Sequence, residues 1–140
     1  MLNQFTTLPA VSAMRAFVRR LDGEKIAHKA NEKERVVRIR YSGKHFTDVT
    51  FAFLFDEDGR SVSISAYSIA AFESNQLADA LEFCNRANEK YRWLRFFVDG
   101  DLELAAAMDA VISLDNAADV CMELLQRAVN AVGAVCKELN

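Results

Sequence analysis

Apolar residues recur at three- and four-residue intervals at Leu8, Val11, Met14, Phe17, Val18 and Leu21, which places all six on one stripe of a helix. Thr7 stands where a cap is needed, Pro9 suits a first turn whose N–H has no helical partner, and Gly23 suits the stop. A charged stretch, DGEKIAHKANEKER, then runs from Asp22 to Arg35. It reads as a loop or as a short strand around Lys25 to Lys29. From Val36 the period drops to two. Val37, Ile39 and Tyr41 share one face while Arg38 and Arg40 take the other, and after Ser42, Gly43 and Lys44 the alternation resumes at Val49, Phe51, Phe53 and Phe55. Thr50, Ala52 and Leu54 occupy the opposite side. Asp56, Glu57, Asp58 and Gly59 form an acidic turn, and SVSISAY alternates again. Asp-Gly between two alternating strands signals a hairpin, because glycine accepts the positive φ of such turns.

The helical period returns from about Ser74 to Lys90. Leu77, Leu81, Cys84 and Asn88 form one stripe, and Ala80, Phe83 and Ala87 form its neighbour. Next come a strand from Tyr91 to Val98, a turn at Asp99, Gly100 and Asp101, and a strand from Leu102 to Met108. The Tyr91 to Val98 strand is apolar on both sides, with Trp93 and Phe97 opposed to Leu94, Phe96 and Val98. This pattern predicts a central position in the sheet or burial at an interface. A last helix, capped by Ser113 or Asp115, runs to the C-terminus on a stripe that includes Leu114, Ala117, Cys121, Leu124, Leu125, Ala128, Val132 and Val135, broken only by Gly133. The expected order is α-β-β-β-α-β-β-α, an α+β fold over residues 1–140 with a five-stranded antiparallel sheet and helices packed on it. No linker or internal repeat divides it into domains.

Composition narrows the picture. A chain of 140 residues with 51% hydrophobic positions and one proline is long enough for a core and too apolar for disorder. Cys84, Cys121 and Cys136 sit singly, without metal-site spacing, as expected of reduced thiols in a cytoplasmic protein. The N-terminal segment lacks the apolar run of about seven or more residues that marks a signal peptide, and no run approaches the roughly 18 residues of a membrane span. The net charge of −3 is unevenly distributed: residues 1–47 carry ten Lys or Arg against four Asp or Glu, and the remainder carries seven against sixteen. Arg15, Arg19, Arg20, Lys25, Lys29, Arg38 and Arg40 could therefore form a basic patch for nucleic acid. They spread over a helix, a loop and a strand, so a nucleic-acid partner is not favoured.

No arrangement for catalysis emerges. His28 and His45 lie in charged or loop-like stretches and read as surface residues. Asp56 to Gly59 lacks the ligand spacing of a calcium loop, the five glycines are isolated rather than gathered in a phosphate loop, and Ser61, Ser63 and Ser65 have no histidine near in sequence. No catalytic residue, metal site or cofactor is expected. Asn85 and Asn88 suit a helix end, where an amide can satisfy free backbone groups or pin the following strand.

In order and in detail the chain resembles the YbjN-like family of bacterial sensory-transduction regulators, whose fold is that of type III secretion chaperones. The resemblance rests on FDEDG from Phe55 to Gly59 with its flanking strands, the Asn85 and Asn88 pair, the RFFVDGDLEL hairpin containing Asp99 and Gly100, and the long final helix. It implies a non-enzymatic module that binds a protein partner and forms a homodimer. Secretion chaperones of this fold often dimerise through the second helix, which here maps to Leu77, Ala80, Leu81, Phe83, Cys84 and Ala87. Trp93, on the strand with two apolar faces, adds a further expected contact. A small-molecule sensor, with its ligand between sheet and helix, is the remaining alternative.

Overall fold

The computed structural model describes residues 8–140. Helix α1 spans Pro9–Gly23; strands β1 (Lys29–Asn31), β2 (Val36–Tyr41), β3 (Val49–Phe55) and β4 (Ser61–Ala71) follow. A 3₁₀ turn at Ser74–Gln76 leads into α2 (Leu77–Lys90), then β5 (Arg95–Val98), β6 (Glu103–Val111) and α3 (Ala117–Leu139). The class is α+β, with three helices on a six-stranded antiparallel sheet ordered β1-β2-β3-β4-β6-β5. Thr7, the expected cap of α1, lies outside the described residues.

The sheet has one strand more than the alternation predicted. Within the charged stretch, Lys29, Ala30 and Asn31 pair with Arg38, Val37 and Val36. All three β1 residues are exposed, so pairing to β2, with no buried face of its own, holds this strand, and no hydrophobic period announces it. The second correction concerns the strand with two apolar faces. It is short and lies at the edge, beside β6, rather than in the centre. Tyr91 to Leu94 are not part of it.

Register explains where the core sits. Phe53 stands opposite Ile64, which stands opposite Met108; Phe51, Ala66, Ala106 and Phe96 make the adjacent row. These side chains point to one face and are buried. Helix α1 contacts β2 and β3, α3 contacts β4, α2 contacts β5, and α1 lies beside α3. The Phe17 ring of α1 sits 4.8 Å from that of Phe53. Among the described residues no polar or charged side chain enters this core, so burial of apolar area dominates its stability, at about 25 cal/mol per Å² removed from water.

Local signals account for the junctions. Gly59 has φ +69°, and a Cβ there would meet the Pro9 backbone at 2.9 Å, so this position needs glycine for both conformation and space. Glu73 and Gln76 form a reciprocal capping box ahead of α2. Helix α3 starts after Asn116 rather than at Asp115, because the Ser113 N–H donates to Asn116 Oδ1 (2.7 Å) and the Asn116 N–H to Ser113 Oγ (3.3 Å). Between Ala66 and Ala70 the β4–β6 register shifts, with Ser68 at φ 57°, a bulge that redirects the end of β4.

Candidate interaction surfaces

Helix α2 divides its apolar residues between inside and outside. Ala80, Cys84 and Ala87 are buried beneath the helix, Phe83 is half-buried, Leu77 is exposed, and Leu81 is 52% exposed. Of the six residues expected at an interface, three face inward. Ala80, Cys84 and Ala87 are already used in packing within the chain, which leaves Leu77, Leu81 and part of Phe83 for an external contact.

Asn88 fixes this helix to the sheet. Its Nδ2 donates to the Phe96 carbonyl at 3.0 Å, and its Oδ1 accepts the Phe96 N–H at 2.6 Å. One amide thus takes both main-chain groups of Phe96 that face away from β6, where an incoming strand would pair. At the opposite edge β1 is three residues long, fully exposed and followed by Glu32, Lys33 and Glu34. Short, charged or occupied edges prevent sheet extension, so neither edge favours association by strand addition. Asn85 is exposed on α2.

Trp93 lies outside the strand and is 55% exposed. The Leu94 N–H donates to the Arg92 carbonyl at 3.1 Å across Trp93, whose φ is +81°. This is a γ-turn of the rare positive-φ kind, strained for a bulky residue. The tight reversal lets Leu94 enter the core directly after the helix ends. The Trp93 ring lies against α3, with the Arg127 guanidinium 4.6 Å from its centroid and that of Arg92 at 5.9 Å.

The Asp99 turn is organised by a side chain. Asp99 Oδ1 accepts the N–H groups of Asp101 (2.9 Å) and Glu103 (3.0 Å). The carboxylates of Asp99, Asp101 and Glu103 lie within 4.8 Å of one another, but the Asp99 oxygen already serves the backbone. Gly100 has open space around it, and the positive φ falls on Leu102, at 58°.

The basic first third separates into two groups. On α1, Arg15 makes a bidentate pair with Glu32 at 2.7 and 3.0 Å, and Arg20 bridges Glu24 and Asp119, each at 2.7 Å. The Arg15 hydrogen bond lowers the Glu32 carboxyl below its ordinary range. These pairs join α1 to the β1–β2 turn and to the start of α3. Arg19 is exposed nearby. Arg38 and Arg40 instead project from β2 on the other face of the sheet, as does Lys29 from β1. Lys25, at φ 59°, lies in the connection before β1. His28 is mostly buried rather than at the surface, its Nδ1 donating to the Ile26 carbonyl at 2.8 Å and its Nε2 3.5 Å from Asp22. Cys84, Cys121 and Cys136 are free and buried, and burial pushes the Cys121 thiol up to about 12. It is therefore a neutral thiol, without the thiolate needed for reactivity.

Among the described residues no helix covers the other face of the sheet. Leu54 and Phe97 are each 42% exposed and Tyr67 38%, set among Thr50, Ala52, Ser63, Ser65 and Ala107. Parity alone puts Leu54 on this side, but whether a helix covers it depends on tertiary packing. For that reason Leu54, Tyr67 and Phe97 do not stand out in the sequence as surface residues.

No helix is long and apolar enough to cross a membrane among the described residues. No curated relative matches the chain in sequence. Its fold is similar to that of a solved structure described as YbjN, a putative transcription regulator from E. coli, with a TM-score of 0.62 and 11% identity over 94% of this chain and 93% of that one. The model of the YbjN family, described as a putative bacterial sensory transduction regulator, matches residues 15–139. That match runs from within α1 to the end of α3, including the sheet and the Asn88 latch, and the chain belongs to the YbjN family.

Proposed function

We propose that this protein is a non-enzymatic regulatory module that binds a protein partner through its open sheet face and self-associates through the exposed side of α2. The observation that carries this reading is the uncovered face itself. Leu54, Tyr67 and Phe97 remain exposed there, while the opposite side of the same sheet buries Phe51, Phe53, Phe55, Ile64, Phe96 and Met108. Large apolar side chains left exposed along one sheet face offer a partner apolar area to bury. The occupied and shortened strand edges favour docking onto the face over addition of a strand. A chaperone-like role fits the same geometry, since an open antiparallel sheet offers an extended polypeptide a broad platform. The intramolecular pairing of Arg15 and Arg20 with carboxylates and their separation from Arg38 and Arg40 weigh against a continuous nucleic-acid track.

Light scattering at tens of micromolar tests self-association: the parent chain should be dimeric and the Leu77→Glu, Leu81→Glu double variant monomeric. A strictly monomeric parent removes that half of the proposal. For the partner, affinity capture from the native cell should recover a protein with the parent and lose it with Phe97→Glu. Equal recovery with both would place the contact elsewhere.

A further inference from the structure

We propose that a pocket on the open sheet face, spanning β1 to β4, binds a small phosphate ester. Register builds its walls. Arg40, Thr50 and Tyr67 stand opposite one another across β2, β3 and β4, so short Thr50 forms a low point between two long side chains. One row along, Lys29 faces Arg38 across β1 and β2. With the Ala27 and His28 segment these residues line a half-open cleft of about 340 Å³, within the roughly 300–1,000 Å³ of small-molecule sites.

Charge selects the ligand. Lys29, Arg38 and Arg40 converge on the cavity, and no carboxylate lines it. Like charges directly opposite in a sheet destabilise it, so the Lys29–Arg38 pairing favours an anion between them. The nearest acids lie outside the lining. Asp48 is 3.4 Å from Arg40 and Glu34 is 3.9 Å from Arg38, and exposed pairs of this kind contribute little and exchange readily. Guanidinium groups grip phosphate oxygens through two parallel N–H bonds, and a phosphate monoester, with three free oxygens and close to two negative charges, can engage several of the three cations at once where a carboxylate has only two oxygens and one charge. Thr50 and Tyr67 add hydroxyl donors. The rest of the lining is suited to an organic group: the Tyr67 ring, Ala27 and the methylene stems of the three cationic residues. These features distinguish the pocket from the α1 arginines, which are held by Glu32, Glu24 and Asp119.

The site goes beyond the partner-binding reading and shares only Tyr67 with it; its charged residues, Lys29, Arg38 and Arg40, play no part in that reading, and neither Leu81 nor Phe97 lines the cavity. Calorimetric titration of the full chain at low salt with AMP, inorganic phosphate and adenosine as probes tests it. AMP should bind saturably and more tightly than either fragment. Arg38→Gln and Arg40→Gln should each weaken it about ten-fold or more, the usual worth of one charge-assisted hydrogen bond. Arg19→Gln should leave it unchanged. All three positions are exposed, and melting curves matching the parent establish that the variants are folded. Absence of saturable AMP binding overturns the proposal, as does an equal loss with Arg19→Gln, which would indicate diffuse charge attraction. Inorganic phosphate binding as tightly as AMP overturns the ester reading. Affinity for oligonucleotides that rises with chain length overturns it in favour of a nucleic-acid surface.

Discussion

Phe53 and Leu54 are neighbours on β3, yet Phe53 is fully buried under α1 while Leu54 is 42% exposed on the side that no helix among the described residues covers. The contrast extends along every long strand. Toward the helices stand Phe51, Phe55, Val62, Ile64 and Met108, all buried; on the other side stand serines, arginines, small residues and a few isolated large apolar ones. An antiparallel sheet can keep one face solvated, so the open side does not need Leu54, Tyr67 or Phe97 for folding. Stability resides in the covered layer, and the open layer is free to carry recognition.

The strongest way to break this comparison is to truncate both neighbours. Phe53→Ala should cost about 3–5 kcal/mol, the range for emptying a fully buried aromatic site, whereas Leu54→Ala should stay within about 1 kcal/mol, as expected for a largely exposed position. Urea denaturation with a common slope measures both. Equal losses would mean that a second molecule already covers the open face under the conditions of the experiment, and dilution would then separate the two effects.

That difference was half legible in the sequence. Period two assigns Phe53 and Leu54 to opposite sides, and the three- and four-residue spacings locate all three helices. What escapes is anything fixed by partners far along the chain. β1 carries no hydrophobic alternation because its pairing with β2 holds it. The Tyr91 to Val98 segment looks central because both its sides are apolar, but Trp93 leaves the strand in a γ-turn and Asn88 occupies the main-chain edge at Phe96. The two acidic turns make the same point. Gly59 sits at the positive φ of its hairpin, as the Asp-Gly signal implies, whereas in the second hairpin that conformation falls on Leu102 and not on Gly100. A carboxylate braces both turns, Asp58 accepting the Arg60 N–H in the first and Asp99 those of Asp101 and Glu103 in the second. Of the candidate site residues, parity placed Arg38 and Arg40 together. Their convergence with Lys29 and Tyr67 needed the register of four strands.

A smaller effect concerns the boundary between the two layers. Asn88→Ala removes both hydrogen bonds to Phe96 and leaves its N–H and carbonyl partly buried without these partners. The expected cost is about 1–3 kcal/mol for such unsatisfied groups. It should also expose the β5 edge to strand addition, so the variant should associate at concentrations where the parent does not, by a mode that Leu81→Glu leaves unaffected. Light scattering beside a denaturation curve reads both consequences. A stability loss without new association would show that α2 packing shields this edge even when the amide is gone.

The smallest effect sharpens the comparison from the stable side. Gly133 lies in the interior of α3 and is half-buried. A Cβ there would sit 3.7 Å from the Phe46 ring, an ordinary contact distance, and the residue's φ is not in the left-handed region. Gly133→Ala should therefore gain helix propensity without a clash, raising stability by about 1 kcal/mol. Because the substitution lies in the helical layer, it should raise the melting temperature while leaving AMP binding and partner capture unchanged. If either changed with it, the two faces would be energetically coupled through the sheet, and recognition could not be assigned to the open layer alone.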